Sequence, residues 1–324
     1  MAPDETILSI EGLDVEFPIS IGTVRAVRGV SLGLERGEVL GLVGESGCGK
    51  STLGFSVMRL LRPPGRITSG RILFRGRDIV SMPPRDLLGL RGRHIAMIFQ
   101  DPLSSLNPLY SISDHFTETI RTHDRGITKR EAVARASSML ESLGIPASRL
   151  REYPHQMSGG MRQRIMIGLA LVMRPEILIA DEPTTALDVI VEAQFLDLLA
   201  ALQGEFDLTI VLITHNLGNV AQLAHRIAVM YGGTIVEVAP VRDLFRDPLH
   251  PYTRGLLASI PNIRLDSPRL VTMPGSPPDL ANPPTGCVFN PRCPDVMDVC
   301  REVCPGPVVR DGRSVSCWLY GGPA

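Results

Sequence analysis

The chain has 324 residues, with 33 Lys and Arg against 34 Asp and Glu and a formal charge of -1; that length rules out a marginal mini-protein, and that balance argues against nucleic acid as a partner. Its positive charge is almost all Arg, with Lys only at Lys50 and Lys129, so a lysine in a special place carries weight. The polar, acidic start from Met1 to Glu5 is not a secretory signal, and the longest apolar run, Ile165 to Met173, is stopped by Arg174 and Pro175, well short of the roughly 20 residues that cross a bilayer. A protein of the cytosol is expected, with no membrane span of its own.

The predicted elements begin with short strands between Ile7 and Val43, the last of them, Val39 to Val43, an unbroken apolar run of the kind buried in parallel sheets. The loop Gly44 to Gly49 follows, then a helix predicted over Lys50 to Leu61 that ends at the breaker Arg62-Pro63-Pro64-Gly65, and a buried strand over Ile95 to Phe99. From Asp101 to Met157 helical patterns take over, at Ile112 to Arg121 and at Lys129 to Leu143, where Thr128 and Glu131 have the spacing of a capping box. Strand character returns at Ile177 to Ala180, Leu208 to Thr214 and Arg226 to Met230, with a helix over Val189 to Leu202 between. Strands alternating with helices predict a parallel α/β sheet carrying an inserted helical part. Beyond about Pro240 come Pro-rich stretches, Met273 to Pro278 and Ala281 to Pro284, and then Cys287, Cys293, Cys300, Cys304 and Cys317. This part is predicted to be an irregular appendage.

Gly44-Glu45-Ser46-Gly47-Cys48-Gly49-Lys50-Ser51 fits the phosphate-binding P-loop completely, and it lies between a predicted strand and a predicted helix. Glycines let successive backbone N–H groups face phosphates, the helix N-terminus adds partial positive charge, Lys50 reaches the β and γ phosphates and Ser51 ligates Mg2+. Thr52 continues the same helix start. Asp181 and Glu182 end the apolar strand Ile177 to Ala180, at the sheet edge where open α/β folds bind ligands. Asp181 is expected to hold Mg2+ and Glu182 to polarise the attacking water.

The nucleotide-hydrolase class is set by Met157-Ser158-Gly159-Gly160-Met161, followed by Arg162-Gln163-Arg164. This stretch resembles the signature of the ABC ATPase family, with Met157 and Met161 where leucine and glutamine are more usual. Gln100 before Asp101-Pro102, Ala186-Leu187-Asp188 and His215 follow in the family's order. The resemblance implies that Ser158, Gly159 and Gly160 contact a γ-phosphate held by the opposite protomer. It also implies that Gln100 senses Mg2+ and the attacking water, that Asp188 links the two sites and that His215 holds the γ-phosphate. Phe17 is either the aromatic that stacks on adenine or a core strand residue. A P-loop kinase of small molecules is set aside by the Ser-Gly-Gly signature and His215.

Three longer stretches, Phe99 to Pro108, Gly160 to Ile167 and His250 to Leu257, resemble the oligopeptide and dipeptide importer branch of that family. The branch implies a P-loop core with an N-terminal antiparallel β subdomain, a helical subdomain at about 101–164 within an ATPase domain of residues 1–240, and a cysteine-bearing extension over 241–324. It implies an ATP-hydrolysing motor peripheral to the cytoplasmic face of the inner membrane. Its partners would be a second ATPase subunit, with a heterodimer the first choice, two permease subunits and a solute-binding protein. Alternatives are an importer of nickel or another small solute, and a soluble ATPase acting on nucleic acid or ribosomes, which would ordinarily show two cassettes or basic arms. For Cys287, Cys293, Cys300 and Cys317 the readings are a [4Fe-4S] cluster first, zinc second and unligated thiols third, with Cys304 spare.

Overall fold

The computed structural model describes residues 6–20, 22–100, 106–184, 188–259 and 273–321. It divides into two compact units, Met1–Ser81 with Thr214–Ala324, and Met82–Ile213.

The first unit opens with β1 (Thr6–Ile19) and β2 (Gly22–Glu35). These are two 14-residue strands where short ones were predicted; register shifts at the Ile10/Leu13 and Val15/Glu16 steps let the pair stay together around its bulges. Next come β3 (Val39–Val43), every residue of it buried, and α1 (Lys50–Val57). That helix stops four residues before the predicted end, because Arg59 takes a left-handed φ of 47°. β4 (Arg66–Phe74) and β5 (Arg77–Asp78) complete an antiparallel sheet of order β2-β1-β4-β5. The expected N-terminal antiparallel subdomain is there.

The second unit runs through α2 (Pro84–Leu90), β6 (Ile95–Ile98), α3 (Ile112–His123), α4 (Lys129–Ser142), α5 (Gly159–Leu171), β7 (Ile177–Asp181), α6 (Val189–Phe206) and β8 (Thr209–Thr214). Its strands pair in parallel, Ile95 opposite Ile177 and Ile177 opposite Thr209. β7 is buried throughout, as its unbroken apolar run requires. Both long helices of the insert begin with complete capping boxes, Ser111 with Asp114 and Thr128 with Glu131. Two orphan donors are satisfied at each start. Phe116 and Ile120 from α3, Ala136 and Leu140 from α4 and Ile165 from α5 supply this unit's helical core.

The chain then returns to the first unit with α7 (Leu217–Leu223), β9 (Arg226–Tyr231), β10 (Thr234–Pro240), α8 (Val241–Arg246) and α9 (Pro251–Ala258). After it come α10 (Asp298–Glu302), β11 (Val308–Arg310) and β12 (Arg313–Val315). β9 pairs in parallel with β3, while β10, β12 and β11 add on antiparallel, so the sheet is mixed where a parallel one was predicted. The C-terminal region is likewise less irregular than its prolines suggested. Glu237 stands opposite Val315, which joins β12 to the sheet, and Leu249, Val315 and Cys317 form a small buried cluster.

Gly168 of α5 is a point of close approach, since a Cβ there would come to 2.6 Å from Leu143 and 3.0 Å from the Phe116 ring. In an exposed helix Gly→Ala gains about 1 kcal/mol, whereas overpacking a core costs about 1–3 kcal/mol. Gly168→Ala should therefore lower the stability read from urea unfolding by about 1 kcal/mol; a gain would show that this core yields.

Candidate functional site

The loop between β3 and α1 is shaped by three glycines with positive φ, Gly44 at 156°, Gly47 at 79° and Gly49 at 107°. A Cβ on Gly44 would strike the Met230 carbonyl, and one on Gly49 the Ala26 carbonyl. Only glycine lets the backbone turn here and pass that close to its neighbours. Gly49 precedes α1, so the N–H groups of the helix start face the loop. Lys50 is buried, and its Nζ donates to the carbonyls of Gly44 at 2.9 Å and Glu45 at 3.0 Å, with Cys48 Sγ at 3.9 Å. Burial pushes the Cys48 thiol up, although Lys50 opposes that. Ser51 and Thr52 are half-buried on the first turn. A glycine-turned backbone loop at a helix start, with a cation folded against its carbonyls, fits a polyphosphate.

In the same unit, Phe17 lies near the end of β1, half-buried, with its ring where a Cβ on Gly65 would fall. His215 is exposed in the turn before α7, where Asn216 caps the helix by accepting from Gly218 N–H at 2.9 Å.

The second unit holds the carboxylates. Asp181 is the last residue of β7 and is buried, whereas Glu182 has left the strand with a left-handed φ of 44°. A non-glycine residue in that region costs on the order of 1 kcal/mol and persists where its surroundings determine it. Glu182 N–H donates to the Ile213 carbonyl at 2.8 Å, and Gln100 Nε2 donates to Glu182 Oε2 at 3.0 Å. Two residues predicted separately, at the ends of two strands, thus share one hydrogen bond. Gln163, which sequence reasoning passed over, is buried on α5 and donates to the Pro183 carbonyl, tying the helix that follows the signature to the segment after the carboxylates. Its place one turn into a signature helix was the available clue.

Ser158 is exposed and caps α5, its hydroxyl accepting from Met161 N–H at 3.3 Å. Met157 is buried and so serves as the apolar residue usual at its position. Asp188 caps α6 by accepting from Val191 N–H at 2.9 Å. Ser158, Gly159, Gly160 and Asp188 line one cavity of ≈ 460 Å³. Asp101, Pro102, Ala186 and Leu187 lie outside the described residues.

The C-terminal cysteines form no disulfide. Cys287 N–H donates to the Cys300 carbonyl at 2.8 Å, and the Cys287 thiol lies within electrostatic reach of Cys300, Cys304 and Cys317. Burial pushes the Cys287 thiol up to about 12 and also raises Cys293, Cys304 and Cys317. Among the described residues no three His, Cys, Asp or Glu side chains are set to hold a metal ion. That leaves the zinc reading without a ready-made cage, since zinc needs its sulfurs all about 2.3 Å from one point. It also leaves the [4Fe-4S] expectation for Cys287, Cys293, Cys300 and Cys317 without a ready-made cage. Cys304, expected to be spare, is an exposed residue, and what shifts its thiol is burial, opposed by Arg28.

Residues 27–185 match the family model of the ABC transporter, and residues 236–300 match the oligopeptide/dipeptide transporter C-terminal region. The chain is 49% identical to the dipeptide transport ATP-binding protein DppD of Bacillus subtilis over 97% of its own length and 95% of that protein's. The chain belongs to the ABC transporter ATP-binding proteins, in the oligopeptide/dipeptide branch. This ABC ATPase is also 44% identical to the oligopeptide transport ATP-binding protein OppD of Salmonella typhimurium, over 98% of this chain and 94% of that one. Among solved structures it is similar to the dimeric ATP-binding cassette MJ0796 bound to ADP and phosphate, with a TM-score of 0.64 and 25% identity over 72% of this chain and 99% of that one. It is similar too to cbiO1 of Clostridium perfringens, with a TM-score of 0.66 and 29% identity over 75% of this chain and 92% of that one. Among the described residues no helix of the ABC ATPase is long and apolar enough to cross a membrane.

Because Gly49 combines a φ of 107° with the Ala26 carbonyl at its back, Gly49→Ala should weaken ATP binding at least about tenfold while leaving the circular dichroism unchanged. Titration with a fluorescent ATP analogue reads this directly, and unaltered affinity would show that the loop tolerates a different backbone.

Proposed function

We propose that the chain is the ATP-hydrolysing motor subunit of a peptide importer, driving permease movement by ATP-dependent closure against a second ATPase subunit. The observation that carries this reading is the likeness to DppD and OppD, which runs through both the cassette and the C-terminal region. In this reading Gly44 to Thr52 bind the phosphates, Lys50 exchanging its loop carbonyls for phosphate oxygens, and Phe17 stacks on adenine. Ser51, Gln100 and Asp181 hold Mg2+, which supplies charge neutralisation for the transferring phosphoryl group. Glu182 takes the proton of the attacking water, His215 holds the γ-phosphate, and Ser158 to Gly160 present the helix start of α5 to the partner's nucleotide. Asp188, on the same cavity as that signature, links the two sites.

The second ATPase subunit is read as a non-identical one, and the assembly as peripheral to the cytoplasmic face of the inner membrane. Two permeases and a solute-binding protein complete it. An ATPase that acts on nucleic acid or ribosomes is not retained, since both relatives compared are named as transport proteins. Peptides are preferred to nickel on the same ground. The decisive test is Glu182→Gln, which should lower kcat by at least about a hundredfold while leaving ATP affinity within about threefold, as expected for a lost general base. Turnover close to that of the unaltered protein would remove Glu182 from that role.

For Cys287, Cys293, Cys300 and Cys317 the proposal is a [4Fe-4S] cluster, which would cross-link the irregular C-terminal segment. Its support lies only in the cysteine spacing and in Cys300 and Cys317 acting electrostatically on both Cys287 and Cys293, with no metal-holding group formed among the described residues. Protein purified without oxygen should carry about four irons per chain, and an iron-free folded preparation would discard the cluster.

A further inference from the structure

Glu45 is a residue at which the C-terminal region touches the phosphate-binding loop. Its carboxylate receives both ends of the Arg292 guanidinium, Nη1 to Oε2 at 2.8 Å and Nη2 to Oε1 at 3.1 Å, and its N–H donates to the Tyr252 hydroxyl at 2.9 Å. Arg292 and Glu45 are 247 positions apart in the chain. The Arg292 side chain is 6% exposed, and it is aimed by three further groups. Its Nε donates to the Pro274 carbonyl at 2.9 Å, its Nη1 donates to the Tyr231 hydroxyl at 3.2 Å, and it lies 5.8 Å from the Tyr231 ring. Tyr252 is fixed as firmly. Its ring meets Tyr231 at 4.4 Å and Phe289 at 5.5 Å, and its N–H donates to His250 Nδ1 at 3.0 Å. Burial holds His250 down at about 3, so its ring is neutral and able to accept.

The chemistry of the loop makes this arrangement consequential. A carboxylate in a phosphate-binding loop repels the triphosphate that the loop exists to bind. The Glu45 carbonyl also holds the Lys50 ammonium, so a shift of Glu45 moves the loop's cation. We propose that Arg292 and Tyr252 are positioning residues for the nucleotide, Arg292 cancelling the charge of Glu45 and Tyr252 holding its backbone, so that the C-terminal region sets the affinity of the phosphate loop. The proposal rests on the reading of that loop as the ATP site.

The test uses the full chain, with a fluorescent ATP analogue and steady-state hydrolysis. Arg292→Ala should raise KM for ATP about tenfold, the effect of one uncompensated charge near the phosphates, and leave kcat within about twofold. Adding Glu45→Gln to that variant should lower KM at least about threefold below that of Arg292→Ala alone, since no carboxylate is left to cancel. Arg292→Lys should fall between, keeping the charge but losing the fork. A double variant as weak as Arg292→Ala, or an Arg292→Ala of normal KM, would overturn the proposal. If Arg292→Ala does not fold, Arg292→Lys and the double variant decide it by the same criteria. Failure of the unaltered protein to bind ATP would instead overturn the reading of the loop.

Discussion

A buried ammonium has to be hydrogen-bonded, and much of the first unit follows from how Lys50 meets that demand. Leaving such a charge unpaired away from water costs several kcal/mol. The loop answers by curling until the Gly44 and Glu45 carbonyls reach the Lys50 Nζ. A turn that tight needs positive φ at Gly44, Gly47 and Gly49, and it brings the loop against the carbonyls of Ala26 and Met230. β2 and β9 thus form the loop's walls, and Gly233 N–H, donating to the Cys48 carbonyl at 3.0 Å, ties it to the turn between β9 and β10.

The second unit solves a different problem, that of placing two adjacent carboxylates in unlike environments. Asp181 ends a fully buried strand, while Glu182, one residue on, is turned out of the strand by its left-handed backbone. The turn is held on both sides, by the Ile213 carbonyl and by Gln163 against Pro183, and the Glu182 side chain is held by Gln100. Preorganisation of this kind would suit the general-base role proposed for Glu182.

The C-terminal region is attached by polar groups that burial makes costly to leave unmade. Glu237 is buried on β10, and its two oxygens accept from Leu249 N–H at 2.8 Å and His250 N–H at 2.9 Å. His250 in turn accepts from Tyr252 N–H, and Tyr252 reaches Glu45. A continuous line of hydrogen bonds therefore runs from the sheet to the phosphate loop. Phe289, edge-on to Tyr231 and Tyr252, closes the apolar side of the same arrangement.

Local chemistry was legible in the sequence. The glycine spacing of the loop, the buried strands β3 and β7, the capping box at Thr128 and the Ser-Gly-Gly helix start each depend on a few consecutive residues, and the order of these features was enough to indicate the ATPase. The full lengths of β1 and β2, the antiparallel addition of β10, β12 and β11, and the contact of Arg292 with Glu45 were not legible, because each is decided by which distant segments pack together. An arginine in a proline-rich stretch has many partners open to it in an extended chain. Only when Pro274, Tyr231 and Glu45 converge in the folded unit do their acceptors and burial single out one.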